Sequence, residues 1–245
     1  MLCPIDTETS RGDDVPRAVI LLSAGLDSVV SFKLAYDDYD EIMCLTFDYG
    51  QRAQSKEISY ASKICSIYHI AHHIVDLKWY DSFVGALTDK SALPQLNSSV
   101  LERFEIVQET AKAVWVPARN AVFLSIGAAF CENYNFDALI VGFNKEEALT
   151  FPDNSAHFVA CFNKVLEYAV LGQIQVIAPL MRYEKREIVR LGLQVGAPLE
   201  WSWSCYSAGV APCHVCESCV RRSRAFEAVK KQDPLLKRLG DEVRS

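Results

Sequence analysis

Polar and apolar residues alternate along this chain in blocks of two kinds. Short aliphatic or β-branched runs at Ala18–Leu22, Glu41–Phe47, His73–Leu77, Ala138–Gly142 and Ile174–Ala178 end in turn residues, which predicts strands buried on both faces. Between them, apolar positions spaced three and four apart predict helices over Val29–Tyr36, Lys56–Tyr68, Asn120–Tyr134 and Ala156–Val170, with another over Lys185–Val195 after the last strand. A strand-helix alternation of this sort implies the α/β class: a Rossmann-like, parallel five-stranded sheet with helices on both faces and ligands at the carboxyl ends of the strands.

The pattern also divides the chain. Residues 1–16 are polar and aperiodic and are expected to form a loose tail; residues 17–200 form the main domain, and residues 201–245, where cysteines concentrate, form a small metal-binding segment. The stretch 80–113 breaks the rhythm and reads as an insertion or a mobile lid.

At 245 residues, half of them hydrophobic, the chain can bury a full core. Its formal net charge of −6 argues against a general binder of nucleic-acid backbones and so against a stable nucleic-acid partner. The opening MLCPIDTETSRGDD has no basic segment leading into an apolar one, so a cytoplasmic location is expected. Apolar stretches such as 121–130 fall well short of the roughly 20 residues that cross a bilayer, and no membrane association is expected.

The candidate chemistry starts in the first strand-to-helix turn, SAGLDS. A strand delivers Ser23 to its carboxyl end, Gly25 lets the backbone turn, and the helix that follows points unpaired N–H groups back at the loop, a geometry that captures an anion. Ser23 and Ser28 add hydroxyl donors, and Asp27 can accept from the backbone or approach a metal ion that bridges phosphates. The same residues suit an ordinary turn in which Ser23 or Asp27 caps the helix, and this geometry alone does not choose. Neither the Walker-type glycine–lysine loop nor the dinucleotide GxGxxG is present, so a phosphate here is held in a third way.

Nine cysteines fall into two sets. Cys3, Cys44, Cys65, Cys131 and Cys161 are scattered, mostly in apolar segments, and are expected as small buried hydrophobes. Cys205, Cys213, Cys216 and Cys219 lie in CYSAGVAPCHVCESC, two overlapping CxxC steps with a fourth thiol upstream, so that four thiolates can converge on one tetrahedral site. A closed sphere of four ligands leaves no place for water, which makes the metal structural. Zinc (Zn2+) fits such a set, an iron–sulfur cluster suits the same ligands, and free thiols or a redox pair are the plain alternative. His214 is expected to stand by.

SAGLDS is similar to the SGGxDS pyrophosphate loop of the ATP pyrophosphatases, with Ala24 in place of a glycine, so this position must avoid positive φ or carry modest strain. Further stretches follow in order: LTFDYGQR at Leu45–Arg52, VPARN at Val116–Asn120, VGFNKEEALTFPDNS at Val141–Ser155, PLMRYEKREIVRLGL at Pro179–Leu193, then WSWSCYSAG and CHVCESCVRR. Through these motifs, residues 17–226 resemble the 7-cyano-7-deazaguanine synthase family of the queuosine pathway, which has an adenine nucleotide alpha-hydrolase-like fold. Alanine (Ala118) and His214 stand where that family commonly has glycine.

That resemblance implies an ATP-dependent ligase that converts 7-carboxy-7-deazaguanine and ammonia to the nitrile through an adenylated acid and an adenylated amide. It assigns Leu22, Ser23, Ala24, Gly25, Leu26, Asp27, Ser28, Val29 and Val30, with Thr46, Phe47 and Asp48, to ATP with magnesium (Mg2+). Asp27, Arg119 and Lys185 are assigned to catalysis, Phe151, Asp153 and Glu146 to the deazapurine substrate, and the four clustered cysteines to zinc. It also implies free ammonia as the nitrogen source and a homodimer.

Plainer roles stay open beside these. Arg119 and Lys185 suit surface salt bridges, Phe151 suits a core, Asp153 suits a cap on the helix from Ala156, and Glu146 and Glu147 suit a solvated face. Three other functions also stay open: a tRNA-thiolating adenylating enzyme, a synthase-like paralogue that conjugates the activated deazaguanine to another acceptor, and a non-catalytic zinc-knuckle binding module. AMP release with tRNA against the free acid separates the first, product mass the second, and ATP binding the third.

Overall fold

The computed structural model describes residues 15–83, 87–88 and 110–242. At its centre, β1 (Arg17–Leu21), β2 (Glu41–Asp48), β3 (Ala71–Asp76), β4 (Ala138–Ile140) and β5 (Gln175–Ile177) form one parallel sheet in the order β3-β2-β1-β4-β5. The expected fold class is observed. Successive strands move outward from β1 to β3, and the chain then crosses back to lay β4 on the other side of β1. That reversal opens a crevice at the carboxyl ends of β1 and β4, where open α/β sheets hold ligands.

Period-two alternation sorts β1 between two layers. Ala18 and Ile20 pack on one face with Val29 and Phe32 of α1 (Leu26–Asp38), Ile64 of α2 (Gln54–Tyr68) and Ile188. Val19 packs on the other with Leu124 of α3 (Arg119–Tyr134) and, beyond the short α4 (Lys145–Ala148), Phe162 of α5 (Ala156–Ala169). Ile188 belongs to α6 (Lys185–Gln194), and the chain closes with α7 (Glu217–Ala228) and α8 (Pro234–Glu242). Helix α1 begins at Leu26, earlier than its apolar period, because the loop and not the stripe sets its start. Helices α7 and α8 follow the last predicted element and were not foreseen by periodicity.

The cysteine-bearing segment joins the main core. Trp203, Cys205, Cys216 and Cys219 share the layer of α1 and α2, and the Trp203 N–H donates to the Ala24 carbonyl at 2.7 Å. Behind them the buried Arg222 forks onto Asp233 at 2.6 and 2.8 Å and donates to the Ser202 hydroxyl at 2.8 Å. A bidentate pair of this kind fixes the angle of α7 as well as its position.

Among the scattered cysteines, Cys44, Cys65 and Cys131 are buried as expected, but Cys161 is exposed because it sits on the outer face of α5. Cys3 and most of the expected tail lie outside the described residues, as do 84–86 and 89–109 of the expected insertion. Tyr80, at the edge of that stretch, is buried and donates to the Pro117 carbonyl at 3.1 Å. Among the described residues no helix is long and apolar enough to cross a membrane.

Candidate active site

The SAGLDS loop leaves β1 and enters α1 with Gly25 at the N-cap and no side chain capping the helix. The first-turn amides therefore keep their donor capacity for a ligand at the positive end of the helix dipole. Ser23 and Ser28 face each other, Oγ to Oγ at 3.1 Å, and Ser28 donates to the Gly25 carbonyl at 3.0 Å, so both hydroxyls border the turn. The next strand reaches the same place: a Cβ on Gly142 would lie 2.8 Å from the Ser28 nitrogen, so only glycine lets the end of β4 pass the helix terminus. Ala24 sits at φ 56°, fully buried, in the left-handed region that its methyl disfavours.

Asp27 and Lys185 form the charged centre. The Lys185 Nζ lies 2.5 Å from Asp27 Oδ2 and 3.0 Å from Glu147 Oε1, and Asn144 Nδ2 donates to Asp27 Oδ2 at 3.1 Å. Asp27 Oδ1 is buried with no partner among the described residues. Burial pushes the Asp27 carboxyl up to about 6 in spite of Lys185. Burial also opposes the Lys185 charge, but Asp27 and Glu147 outweigh it and raise the lysine above its ordinary value. Lys185 is thus no surface salt bridge. An oxygen without a partner, on a carboxylate beside the anion turn, fits a magnesium ligand.

Asp27, Glu147 and Lys185 border a cavity of about 250 Å³ that is also lined by Leu22, Ser23, Gly25, Leu26, Ser28, Phe47, Tyr49, Glu57 and Arg119. Arg119 stacks over the Tyr49 and Phe123 rings and donates to the Tyr49 hydroxyl at 3.3 Å. Ala118, just before it, is the left-handed N-cap of α3 at φ 54°. Glu57 accepts from Gln51 Nε2 at 2.8 Å, and burial pushes its carboxyl up to about 7.

A smaller cavity of about 150 Å³ adjoins the first and shares Arg119, Glu147, Lys185 and Tyr206 with it. Phe151 and Asp153 line it, with Trp115 parallel to Phe151 at 8° and 6.2 Å between ring centroids. Asp153 does not cap α5, because Ser155 does so, accepting from the Phe158 N–H at 3.1 Å.

Other assigned residues stand back from the walls. Thr46 donates to the Leu22 carbonyl at 2.6 Å, which pins the start of the loop, while Asp48 accepts from Gln54 Nε2 at 2.5 Å. Ala24, Val29 and Val30 are core residues. Glu146 accepts the Lys185 N–H, the first amide of α6, at 2.7 Å and pairs with Arg221 at 3.2 Å, while Glu184 and Glu187 form the capping box of that helix. A solvated face for Glu146 and Glu147 is therefore corrected: the buried lysine and Arg221 draw both carboxylates inward. Among the wall residues that sequence reasoning passed over, Tyr49 and Gln51 lie inside the LTFDYGQR stretch, whereas Glu57 carries no local signal; Asn144, buried behind the wall on Asp27, lies inside VGFNKEE.

The four clustered cysteines come together. Their Sγ atoms all lie within 4.8 Å of one another, and Cys213 and Cys219 are 3.9 Å apart. Tetrahedral bonds of 2.3 Å require about 3.8 Å between sulfurs, so the set fits a metal ion. Backbone N–H groups of Ser207 and Cys213 approach the Cys205 sulfur at 3.4 Å, and that of Cys216 approaches Cys213 at 3.3 Å, which supports thiolate character. His214 is exposed, at φ 62°, outside the set.

Comparison with known proteins bears on most of the chain. A 7-cyano-7-deazaguanine synthase from Methanosarcina barkeri is 44% identical over 229 residues, covering 91% of this chain and 99% of that protein. The enzyme of the same name from Methanothermobacter thermautotrophicus is 45% identical over 219 residues, covering 89% and 97%. Among solved structures, a U34-tRNA thiolase from Methanococcus maripaludis aligns at a TM-score of 0.49 and 17% identity, covering 89% of this chain and 66% of that one. The family model described as queuosine biosynthesis protein QueC matches residues 17–230, from the first strand to beyond the last clustered cysteine, and the chain belongs to that family.

Proposed function

We infer that this protein is a 7-cyano-7-deazaguanine synthase: an ATP-dependent ligase that converts 7-carboxy-7-deazaguanine and ammonia to the nitrile. One observation carries the reading. The turn at the end of β1 offers uncapped helix amides and two serine hydroxyls, with the Asp27–Lys185 pair immediately beside them.

A carboxylate is a poor electrophile because its oxygen cannot leave. Its attack on the α-phosphorus of ATP expels pyrophosphate and turns that oxygen into a leaving group. Ammonia then displaces AMP to form the amide. The amide oxygen attacks a second ATP, and loss of AMP with the amide protons leaves the nitrile. Ser23, Gly25, Asp27 and Ser28 hold the outgoing pyrophosphate, while Lys185 and Arg119 face the charge that grows on the α-phosphate. Asp27 would hold magnesium, which neutralises phosphate charge when bound. Phe47 borders the adenosine, and Phe151 and Asp153 border the deazapurine.

Zinc on the four cysteines is structural in this reading, the nitrogen source is free ammonia, and the enzyme works as a cytoplasmic homodimer without nucleic acid. Residues 17–200 carry the chemistry and residues 201–245 the metal. Incubation with ATP, magnesium, ammonium and the acid should yield AMP, pyrophosphate and a product of nitrile mass. An amide that accumulates without nitrile rules out the second adenylation, and no AMP release above a buffer control rules out the ligase.

A further inference from the structure

The smaller cavity contains a carboxylate with an unusual vacancy. Glu217 is the first residue of α7, between two of the clustered cysteines, and only 3% of it is exposed. Its Oε1 receives both Nε and Nη2 of Arg221, at 2.9 and 2.8 Å. Its Oε2 is equally buried and has no donor among the described residues. A buried carboxylate oxygen without a donor is costly, and such atoms mark places where a ligand, ion or water completes the set.

The surroundings indicate which ligand. Trp115 and Phe151 present parallel ring faces on the same cavity, a wall suited to a flat heterocycle. Arg221 braces Glu217 and also pairs with Glu146, the residue that accepts the Lys185 N–H, so the carboxylate is held in register with the charged centre. Of the two other acids on this wall, Glu147 is engaged by the Lys185 ammonium at 3.0 Å and Asp153 already accepts from the Asn154 side-chain amide at 3.3 Å.

Resting on the synthase reading above, we propose that Glu217 reads the amino edge of the deazapurine, its Oε2 accepting a hydrogen bond from the exocyclic amine of the ring. A ring that lacks the amine would bury the same oxygen unpaired. That penalty, and not a better fit for the right ring, then sets the discrimination.

Calorimetric binding of 7-deazaguanine and of 7-deazahypoxanthine, the same ring without the amine, tests this on the full-length, metal-loaded protein. Wild type should bind the amine-bearing ring about tenfold to hundredfold more tightly. Glu217→Gln should bring the two affinities to within about threefold, with metal content and ATP affinity unchanged, and Asp153→Asn should keep the wild-type ratio. Equal binding of both rings by wild type overturns the proposal, and needs no variant to fold. So does a ratio that survives in Glu217→Gln and collapses in Asp153→Asn. A protein that discriminates between the rings but never converts the acid keeps this assignment and refutes the ligase instead.

Discussion

The ammonium of Lys185 meets the carboxylate of Asp27 at 2.5 Å although 158 positions separate them in the chain. Asp27 comes from the first turn of α1 and Lys185 from the first residue of α6, so the two helix starts are tied together beneath the phosphate turn. The side chains of both are nearly buried, at 13% and 10% exposure. Each charge is costly in that setting without the other.

Removing one partner should therefore hurt more than removing both. Lys185→Met leaves Asp27 and Glu147 facing each other without a cation and should cost about 3–5 kcal/mol of stability in urea unfolding. Asp27→Asn with Lys185→Met should cost less than Lys185→Met alone, because the stranded charge is gone. Both should lower AMP release by roughly 100-fold to 1,000-fold. A Lys185→Met protein as stable as wild type contradicts the buried pair.

Three residues occupy the left-handed region where the resembling family commonly has glycine: Ala24 at φ 56°, Ala118 at 54° and His214 at 62°. Ala118 and His214 are exposed, so Ala118→Gly and His214→Gly should each gain about 1 kcal/mol by relieving strain. Ala24 is fully buried, and losing its methyl costs about the same amount, so Ala24→Gly should change little. Urea midpoints of the three variants measure the contrast, and an Ala24→Gly gain equal to that of Ala118→Gly would mean that its methyl contributes nothing.

Local pattern carried the inner strands because a parallel sheet buries both their faces, and β1 and β2 read as continuous apolar runs, whereas β3, expected to be buried on both faces, lies at the sheet edge with none of its residues buried. It carried the four cysteines because metal ligands on one loop must be close in sequence. It did not carry pairings made by topology. The order β3-β2-β1-β4-β5 brings Gly142 against Ser28 and Lys185 against Asp27, and no window of residues contains both members of either pair. Glu57 and Glu217 stayed hidden for a related reason: each sits on an amphipathic helix, where a glutamate ordinarily faces water. The family-like stretches supplied the loop, yet Thr46 and Asp48 turned out to brace the backbone and not to line the cavity.

The four-cysteine set should hold one metal ion per chain, measured by elemental analysis, with no absorption near 400 nm if that metal is zinc. Because Cys205, Cys216 and Cys219 belong to the main core, chelation should lower the melting temperature of the whole protein and not only loosen its end. Cys216→Ser should do the same. Brown protein containing iron and sulfide would replace zinc by a cluster, and a melting temperature indifferent to chelation would make the site ornamental to the fold.

Glu57 makes stability depend on pH in a direction opposite to an ordinary paired carboxylate. Burial raises it from 4.5 to about 7, against the opposing pull of the Gln51 hydrogen bond and Arg119. Between those two values the folded chain holds a proton that the unfolded chain has released, so stability falls as pH rises through the window and levels off above it. Glu57→Gln removes this loss. The variant should gain on wild type by roughly 1–3 kcal/mol in going from pH 5 to pH 8, while the contribution of Asp27, present in both proteins, cancels. Urea unfolding of the two proteins at both pH values measures the difference. A gap that does not widen toward pH 8 means that Glu57 titrates as a solvated acid and that the cavity wall beside Arg119 is wetter than its burial implies.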